Sequence, residues 1–249
     1  MIICITGMHR SGTSLAASWL ENCGLTIHHG EVWGPSVGNP KGHFEDKDFV
    51  KLHTMAANST YSRSKGWKVF TGDSLMFDDS HLSQAHQLLQ QRKLAYKTWG
   101  WKDPRSVLFL TQWRAIIPEL KVLFVWRPCL DVAQSLVMRS KKAGQAHLKI
   151  TLLEAVKLWL YYNKKVCAYK RQHPDTTLLF SLNAIIDDDE GILSLLNEKF
   201  RANLCYTPLA AVFSPSLLHK RATPLALKWA SSCYKTTQLE EQLQNLSDT

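Results

Sequence analysis

Residues 2–14 read IICITGMHRSGTS, and this stretch decides the fold. The apolar run 2–6 predicts a buried strand, and Gly7 follows it at the start of a turn. Apolar residues then recur on one face of a predicted helix, at Leu15, Trp19, Leu20 and Cys23. A loop between a buried strand and the first turn of a helix presents backbone N–H groups and the positive end of the helix dipole to an anion. The stretch therefore predicts a phosphate- or sulfate-binding loop.

The loop differs from a Walker A sequence, G-x-x-x-x-G-K-[ST], in the position of its cation. Thr13 occupies the position of the Walker lysine, and Arg10 inside the loop supplies the positive charge instead. A P-loop kinase also needs a carboxylate that holds Mg²⁺ near the end of a strand. No apolar run ends in an obvious Asp, which leaves Asp103 and Asp131 as candidates. A kinase that phosphorylates a small molecule is therefore the weaker enzyme interpretation.

Apolar strand patterns alternate with longer helical patterns along the whole chain. Further strands are predicted over 122–126 and 177–180. Helices are predicted over the ranges 46–58, 81–94, 151–171, 184–199 and 225–246. Such alternation is typical of a parallel sheet with helices on both faces. We expect an α/β protein with a three-layer, P-loop-like fold, in which helices flank a central parallel sheet and residues 1–249 form a single domain.

Composition narrows the functional classes. The chain has 249 residues, of which 45% are hydrophobic, and this excludes disorder, collagen and coiled coil. Its 30 Lys and Arg against 21 Asp and Glu give a net charge of +9, which suits an anionic ligand such as a nucleotide, nucleic acid or a membrane surface. The basic residues are spread along the chain without a basic run. A non-enzymatic nucleic-acid-binding protein is therefore a weaker alternative, and we expect no nucleic-acid partner.

Cysteine spacing and hydropathy predict the cellular setting. The six cysteines lie far apart without a C-x-x-C pair, so we expect buried free thiols in a reducing compartment and neither a zinc site nor a disulfide framework. No apolar run approaches the roughly 20 residues that cross a bilayer. The first strand pattern begins at Ile2, which leaves no room for a signal peptide. These features predict a cytoplasmic protein without a transmembrane segment.

The loop R-S-G-T-S resembles the 5′-phosphosulfate-binding loop of the sulfotransferase superfamily, which reads R-S-G-T-T or K-S-G-T-T. The resemblance implies that the loop binds the donor 3′-phosphoadenosine 5′-phosphosulfate (PAPS). The loop residues so implicated are His9, Arg10, Ser11, Gly12, Thr13 and Ser14. The family also carries an Arg at a later strand end and a Ser eight residues on, which hold the 3′-phosphate of the donor. Arg127 and Ser135 have that spacing, and a hydroxyl about two helical turns beyond a strand-end Arg can reach the same phosphate.

Two segments between these sites extend the resemblance. Residues 39–46 read NPKGHFED and residues 102–105 read KDPR, as in bacterial sulfotransferases akin to the tyrosylprotein and carbohydrate enzymes. Asp103 and Arg105 are expected either to pair with each other or to orient Lys102. The resemblance covers about residues 1–140. Beyond it, Leu179-Phe180-Ser181-Leu182 replaces the Y-E-D-L of many relatives, so the usual acidic residue is absent.

The resemblance implies a metal-independent, in-line transfer of a sulfuryl group from PAPS to a hydroxyl or amine of a small molecule or glycan, with 3′,5′-ADP as product. Arg10 and Lys102 would neutralise the leaving group. Three residues are candidates for the base, namely Glu45, Glu31 and His43. Glu31 has the separation from Arg10 of the tyrosylprotein enzymes, Glu45 belongs to the N-P-x-G-x-x-E-D segment, and some cytosolic relatives use a histidine. The acceptor and the oligomeric state stay open.

Tryptophans suggest where an acceptor could bind. Trp19, Trp113 and Trp159 lie on apolar helix faces and are expected in the core. Loop tryptophans could line an acceptor pocket, and they are Trp33, Trp67, Trp99 and Trp101. The Gly/Pro-rich stretch 30–42 is a candidate substrate gate.

Overall fold

The computed structural model describes residues 1–28, 44–58, 67–69, 75–143, 146–213 and 224–248. Within these residues, four parallel strands form one sheet in the order β2-β1-β3-β4. The strands are β1 (Ile2–Thr6), β2 (Trp99–Lys102), β3 (Lys121–Trp126) and β4 (Thr177–Ser181). The predicted α/β class with a central parallel sheet is confirmed.

Helices cover both faces of this sheet. In chain order they are α1 (Thr13–Asn22), α2 (Lys47–Asn58), α3 (Asp79–Ala95), α4 (Leu110–Ile116), α5 (Cys129–Ala143), α6 (Leu152–Gln172), α7 (Leu182–Asp187), α8 (Asp189–Phe200), α9 (Leu225–Cys233) and α10 (Thr236–Leu246). Side chains alternate along β1, so Ile3 and Ile5 pack with α1, α7 and α8, whereas Cys4 packs in the core that includes α2, α5 and α6. Burial on both faces explains why the strands are continuous apolar runs.

The carboxyl ends of the four strands meet at one edge of the sheet because all the strands are parallel. β1 passes directly into the phosphate loop, and β2 passes into a short 3-10 helix, Pro104–Leu108. β3 leads through Arg127 into α5. This edge therefore gathers the segments that carry most of the predicted site residues.

Two predicted helices are each divided in the structure. The helix expected over 184–199 consists of α7 and α8, because the Asp188 carboxylate accepts a hydrogen bond from Gly191 N at 3.0 Å and so starts a new helix. The helix expected over 225–246 consists of α9 and α10, which are separated by Lys235 in the left-handed conformation, with φ of 50°. The sequence pattern did not predict β2.

The assignment of tryptophans to an acceptor pocket is wrong for two of them. Trp99 and Trp101 form part of strand β2 rather than a loop, and they are 2% and 0% exposed in the aromatic core. Trp67 is also buried, with the ring of His9 edge-on to its indole. Trp33 and the candidate gate over 30–42 lie outside the described residues. Buried as expected are Trp19, Trp113 and Trp159.

The cysteines are free thiols in the structure, but not all of them are buried. Cys205 and Cys233 are exposed, which corrects the expectation, and the other four are buried. Among the residues that the structure describes, no helix is both long enough and apolar enough to span a membrane.

Candidate active site

The phosphate loop makes a tight turn between β1 and α1, and two glycines permit it. Gly7 has φ of +149°, and a Cβ atom there would lie 2.2 Å from the carbonyl oxygen of Val125. Gly12 has φ of +100°, and a Cβ atom there would lie 2.5 Å from Leu182 Cδ1. Arg10 lies between them in the left-handed region, with φ of 70°. The loop is therefore packed closely against the segments that end β3 and follow β4.

Three buried polar atoms in and beside this loop have no hydrogen-bond partner among the described residues. Ser11 is fully buried, and its Oγ atom has no hydrogen-bond partner among the described residues. The same holds in that part of the chain for His9 Nε2 and Arg139 Nε. A buried polar group without a hydrogen bond costs about 1 to 3 kcal/mol. Such atoms are expected where a bound ligand completes their hydrogen bonds.

One hydrogen bond joins the loop to α5. Arg10 Nε donates to Ser135 Oγ at 2.9 Å. Burial and the nearby charge of Arg127 lower the pKa of Arg10. Arg127 Nε also donates to Asp131 Oδ2, at 3.2 Å, one helical turn further on. The residues predicted to hold the two ends of the donor therefore lie together at the edge of the sheet.

Lys102 and Glu45 form a buried ion pair. Lys102 Nζ lies 2.8 Å from Glu45 Oε1, and the two side chains are 1% and 11% exposed. The neighbouring Asp46 has a different partner, since its carboxylate accepts hydrogen bonds from Arg92 Nη2 at 2.9 and 3.2 Å. Asp46 Oδ1 also accepts from Asp48 N, at 3.0 Å, at the start of α2. Asp46 therefore fixes the segment that carries Glu45.

Asp103 and Arg105 pair with each other, which is one of the two arrangements expected. The backbone N and Nη1 of Arg105 donate to Asp103 Oδ1 at 3.0 and 2.9 Å. Burial acts to raise the pKa of the Asp103 carboxyl, but Arg105 and His53 outweigh it and hold the pKa well below its usual range. Burial acts against the charge of Arg105, but the carboxylates of Asp103 and Glu45 raise its pKa above the usual value. Both groups are therefore charged at neutral pH.

Arg139 belongs to this site although the sequence analysis did not select it. It lies one helical turn after Ser135 on α5, and its guanidinium stands 4.9 Å from the centre of the Trp67 ring. Burial and the charges of Arg10 and Arg105 lower the pKa of Arg139 to about 10. The four-residue spacing from Ser135 was the available signal, because residues i and i+4 share a helix face.

His9 is a neutral group among these cations. It is 7% exposed and lies edge-on to the rings of Trp67 and Tyr162, with centroids 5.7 Å apart in both cases. Burial, together with the charges of Arg105 and Arg139, lowers the pKa of His9 well below its usual range. An uncharged imidazole can therefore lie in the loop without adding to the repulsion between the arginines.

Comparison with solved structures identifies the fold of this chain. No protein-family model matches the chain, and no curated protein matches its sequence. Among solved structures, a sulfotransferase from Alicyclobacillus acidocaldarius matches with a TM-score of 0.60 at 12% identity, covering 99% of this chain and 96% of that one. This chain has a sulfotransferase fold.

Two further solved structures have the same fold. A sulfotransferase from Mycobacterium tuberculosis H37Rv matches with a TM-score of 0.57 at 13% identity, covering 97% of this chain and 75% of that one. The sulfotransferase domain of the Synechococcus PCC 7002 olefin synthase matches with a TM-score of 0.54 at 14% identity, covering 98% of this chain and 94% of that one. The likeness extends over nearly the whole chain, beyond the residues 1–140 where the sequence motifs lie.

Two candidates for the base, Glu31 and His43, fall outside the described residues of this sulfotransferase fold. Glu45 is described, and it lies beside Lys102. Substitution of each of the three residues in turn therefore identifies the base.

Proposed function

We propose that this chain is a PAPS-dependent sulfotransferase that moves a sulfuryl group to a hydroxyl or amine of a small-molecule or glycan acceptor and releases 3′,5′-ADP. One observation carries the proposal. Cationic side chains converge on a phosphate loop whose buried Ser11 hydroxyl has no hydrogen-bond partner in the described part of the chain. These cations are Arg10, Lys102, Arg105, Arg127 and Arg139. A donor with a phosphosulfate and a second phosphate supplies the negative charge that such a cluster needs.

We assign the two ends of the donor to two parts of the cluster. Residues 11–14 and Arg10 hold the 5′-phosphosulfate, where loop hydroxyls and the amino end of α1 favour an anion. Arg127 and Ser135 hold the 3′-phosphate, and Arg139 on the next turn of α5 adds positive charge. The hydrogen bond from Arg10 to Ser135 supports this assignment, because it places the two parts side by side.

The donor supplies the sulfuryl group, and the residues of the chain prepare its transfer. Arg10 and Lys102 stabilise the negative charge that develops on the leaving phosphate oxygen as its bond to sulfur breaks. Glu45 takes the proton from the acceptor group while the acceptor atom forms the new bond to sulfur. The contact between Asp46 and Arg92 keeps the backbone that carries Glu45 in place. Glu31 and His43 are the alternative bases.

Incubation with radiolabelled PAPS tests this function. Phenols, aliphatic alcohols, amines and oligosaccharides are offered as acceptors, and both labelled product and 3′,5′-ADP are measured. We expect label in one class of acceptor and an equal amount of 3′,5′-ADP. The Arg10→Ala variant lacks the loop cation and serves as the control, with transfer reduced by about two orders of magnitude or more. Phosphate transfer from ATP without any sulfuryl transfer from PAPS would contradict the proposal.

A further inference from the structure

A chain of hydrogen bonds runs from the aromatic core to the cation cluster. Trp113 Nε1 donates to His53 Nε2 at 2.7 Å, and His53 Nδ1 lies 2.8 Å from Asp103 Oδ2. Asp103 Oδ1 in turn accepts from Arg105 Nη1 at 2.9 Å. Trp113, His53 and Asp103 are fully buried, whereas the side chain of Arg105 is 12% exposed. The chain therefore begins in the core and ends at a cation of the candidate site.

Trp113 fixes the tautomer of His53. An indole N–H can only donate, so His53 Nε2 must carry a lone pair, and the ring proton must lie on Nδ1. Nδ1 therefore donates to Asp103. The imidazole also stacks on Phe109, with ring centroids 5.2 Å apart and an angle of 9° between the planes. The two hydrogen bonds of its ring nitrogens therefore give His53 one tautomer and one orientation, and it holds one carboxylate oxygen of Asp103 in place.

The other oxygen of Asp103 holds Arg105. The turn Pro104–Leu108 follows β2 directly, and Asp103 Oδ1 accepts hydrogen bonds from both the backbone N and the guanidinium of Arg105. Arg105 comes three residues after Lys102, the ion-pair partner of Glu45, and its charge acts with burial and Arg10 to lower the pKa of Arg139. The contact with Asp103 therefore fixes the guanidinium of Arg105 at the carboxyl end of β2, beside the other cations of the candidate site.

We propose that Arg105 binds the sulfuryl group that is transferred, and that His53 positions Arg105 through Asp103. The inference rests on the proposed function and adds a binding residue and a positioning residue to it. A buried charge is favourable only when all its hydrogen-bonding capacity is used with good geometry. Asp103 meets this condition with one oxygen directed to the core and the other to the site, so a change at His53 is transmitted to Arg105.

The test compares the affinities for two nucleotides, since PAPS carries the sulfuryl group and 3′,5′-ADP lacks it. The ratio of the two Kd values, measured by calorimetry, reports contacts with the sulfuryl group and needs no acceptor. Arg105→Ala is expected to raise the Kd for PAPS by about 10- to 100-fold, because a hydrogen bond to a charged group is lost. The Kd for 3′,5′-ADP should stay within about twofold of the wild-type value. His53→Gln is expected to weaken PAPS selectively by about tenfold, because its amide extends toward the Nε2 side and does not reach Asp103.

Two further variants separate positioning from general damage. In His53→Asn the amide nitrogen lies where Nδ1 was and can donate to Asp103, so the ratio of Kd values is expected to stay within about threefold of wild type. Phe109→Leu removes the ring that stacks on His53 and lowers the melting temperature, but it should leave the ratio unchanged. If His53→Gln does not fold, His53→Phe tests the same chain, because a phenyl ring can still stack on Phe109 but cannot donate to Asp103, and the ratio should shift in the same direction.

Specific outcomes would overturn the inference. An unchanged ratio of Kd values in Arg105→Ala would show that Arg105 does not bind the sulfuryl group. An unchanged ratio in His53→Gln would show that His53 does not position Arg105. The same conclusion would follow if the ratio changed in His53→Asn and Phe109→Leu as much as in His53→Gln. Failure of the proposed function looks different, because the wild-type protein would then bind neither PAPS nor 3′,5′-ADP.

Discussion

Arg10 Nε donates a hydrogen bond to Ser135 Oγ at 2.9 Å, although 125 residues separate the two in sequence. The serine oxygen accepts from the arginine, and its own O–H can still donate to a bound anion. In the proposed function the same hydroxyl therefore supports the loop cation and donates to the 3′-phosphate. Substitution of Ser135 should therefore weaken the binding of both phosphate-bearing ends of the donor, whereas substitution of Arg127 should weaken only the binding of the 3′-phosphate.

The first prediction compares nucleotides with and without a 3′-phosphate. Arg127→Ala should weaken 3′,5′-ADP by about 1.5 to 3 kcal/mol, the value of a hydrogen bond to a charged group, and leave 5′-AMP nearly unchanged. Ser135→Ala should lower the affinity for both nucleotides, because Arg10 also loses its hydrogen bond to Ser135 Oγ, and it should lower the affinity for 3′,5′-ADP more. Calorimetric titration measures both effects, and alanine at the exposed Arg171 is the control. If Arg127→Ala lowered the affinity for both nucleotides equally, Arg127 would not bind the 3′-phosphate.

The second prediction concerns the base. Glu45→Gln should leave the protein folded and keep the donor affinity, since the amide has nearly the same shape and its oxygen can still accept from Lys102. Because the Glu45–Lys102 pair is buried, the change should lower the free energy of unfolding about as much as Asp46→Asn does. It should lower kcat by roughly 10²- to 10⁴-fold, because an amide cannot take a proton. Asp46→Asn is the matched control, since it alters the adjacent acid in its buried pair with Arg92. It should lower the free energy of unfolding by about 3 kcal/mol, as expected when a buried ion pair loses one charge, and it should lower kcat much less than Glu45→Gln does.

The alternative bases give distinct results. A large loss of kcat in Glu31→Gln with little effect in Glu45→Gln would transfer the role to Glu31. If neither change slows turnover with saturating acceptor, the base is His43, and its loss should remove a limb of the pH–rate profile near about pH 6.5.

The parts of the fold that were predictable have strong local signals. β1 and β3 are continuous apolar runs that end at Gly7 and Arg127, and such runs predict buried parallel strands. β2 was missed because it has four residues and contains Gly100. Its strand conformation depends on pairing with β1, where a Cβ atom at Gly100 would lie 2.3 Å from the Ile3 carbonyl oxygen. No local sequence pattern indicates this close approach, because it depends on how the two strands pair in the folded protein.

The candidate site likewise combines motifs that are local in the sequence with contacts between residues that are far apart in it. The phosphate loop and the Arg127–Ser135 spacing are contiguous motifs, so the sequence could predict them. The contact of Lys102 with Glu45 spans 57 residues, and the contact of His53 with Asp103 spans 50. No local pattern marks a histidine on α2 as the partner of an aspartate after β2. Such pairs are created by the packing of helices on the sheet.

The third prediction concerns metal ions. Arg10, Lys102 and backbone donors meet the charge of the transferring group in the proposed function. Activity in the assay with PAPS should therefore persist in excess EDTA. The measurement is the rate of 3′,5′-ADP formation before and after chelation. Abolition by EDTA with rescue by Mg²⁺ would favour phosphoryl transfer instead.

The fourth prediction follows from the lowered pKa of His9. As the pH falls below about 6.5, the unfolded chain binds a proton at His9 and the native protein does not, so the free energy of unfolding decreases by up to about 1.4 kcal/mol per pH unit from this group. His9→Asn should flatten the dependence of stability between about pH 6.5 and 5. Urea unfolding at several pH values measures it, with asparagine at the exposed His86 as control. An unchanged slope in His9→Asn would show that His9 is protonated equally in both states.

The central claim is that the phosphate loop and the Arg127–Ser135 segment together form a site for a 3′-phosphorylated adenosine nucleotide. Thermal unfolding with 3′,5′-ADP, with ATP and Mg²⁺, and with buffer alone tests it directly. A ligand at 100 times its Kd stabilises the folded state by about 2.7 kcal/mol, which corresponds to a rise in Tm of roughly 5 to 10 °C for a chain of this length. We predict that rise with 3′,5′-ADP and a smaller one with ATP and Mg²⁺. A larger rise with ATP and Mg²⁺, or no rise with 3′,5′-ADP, would contradict the claim.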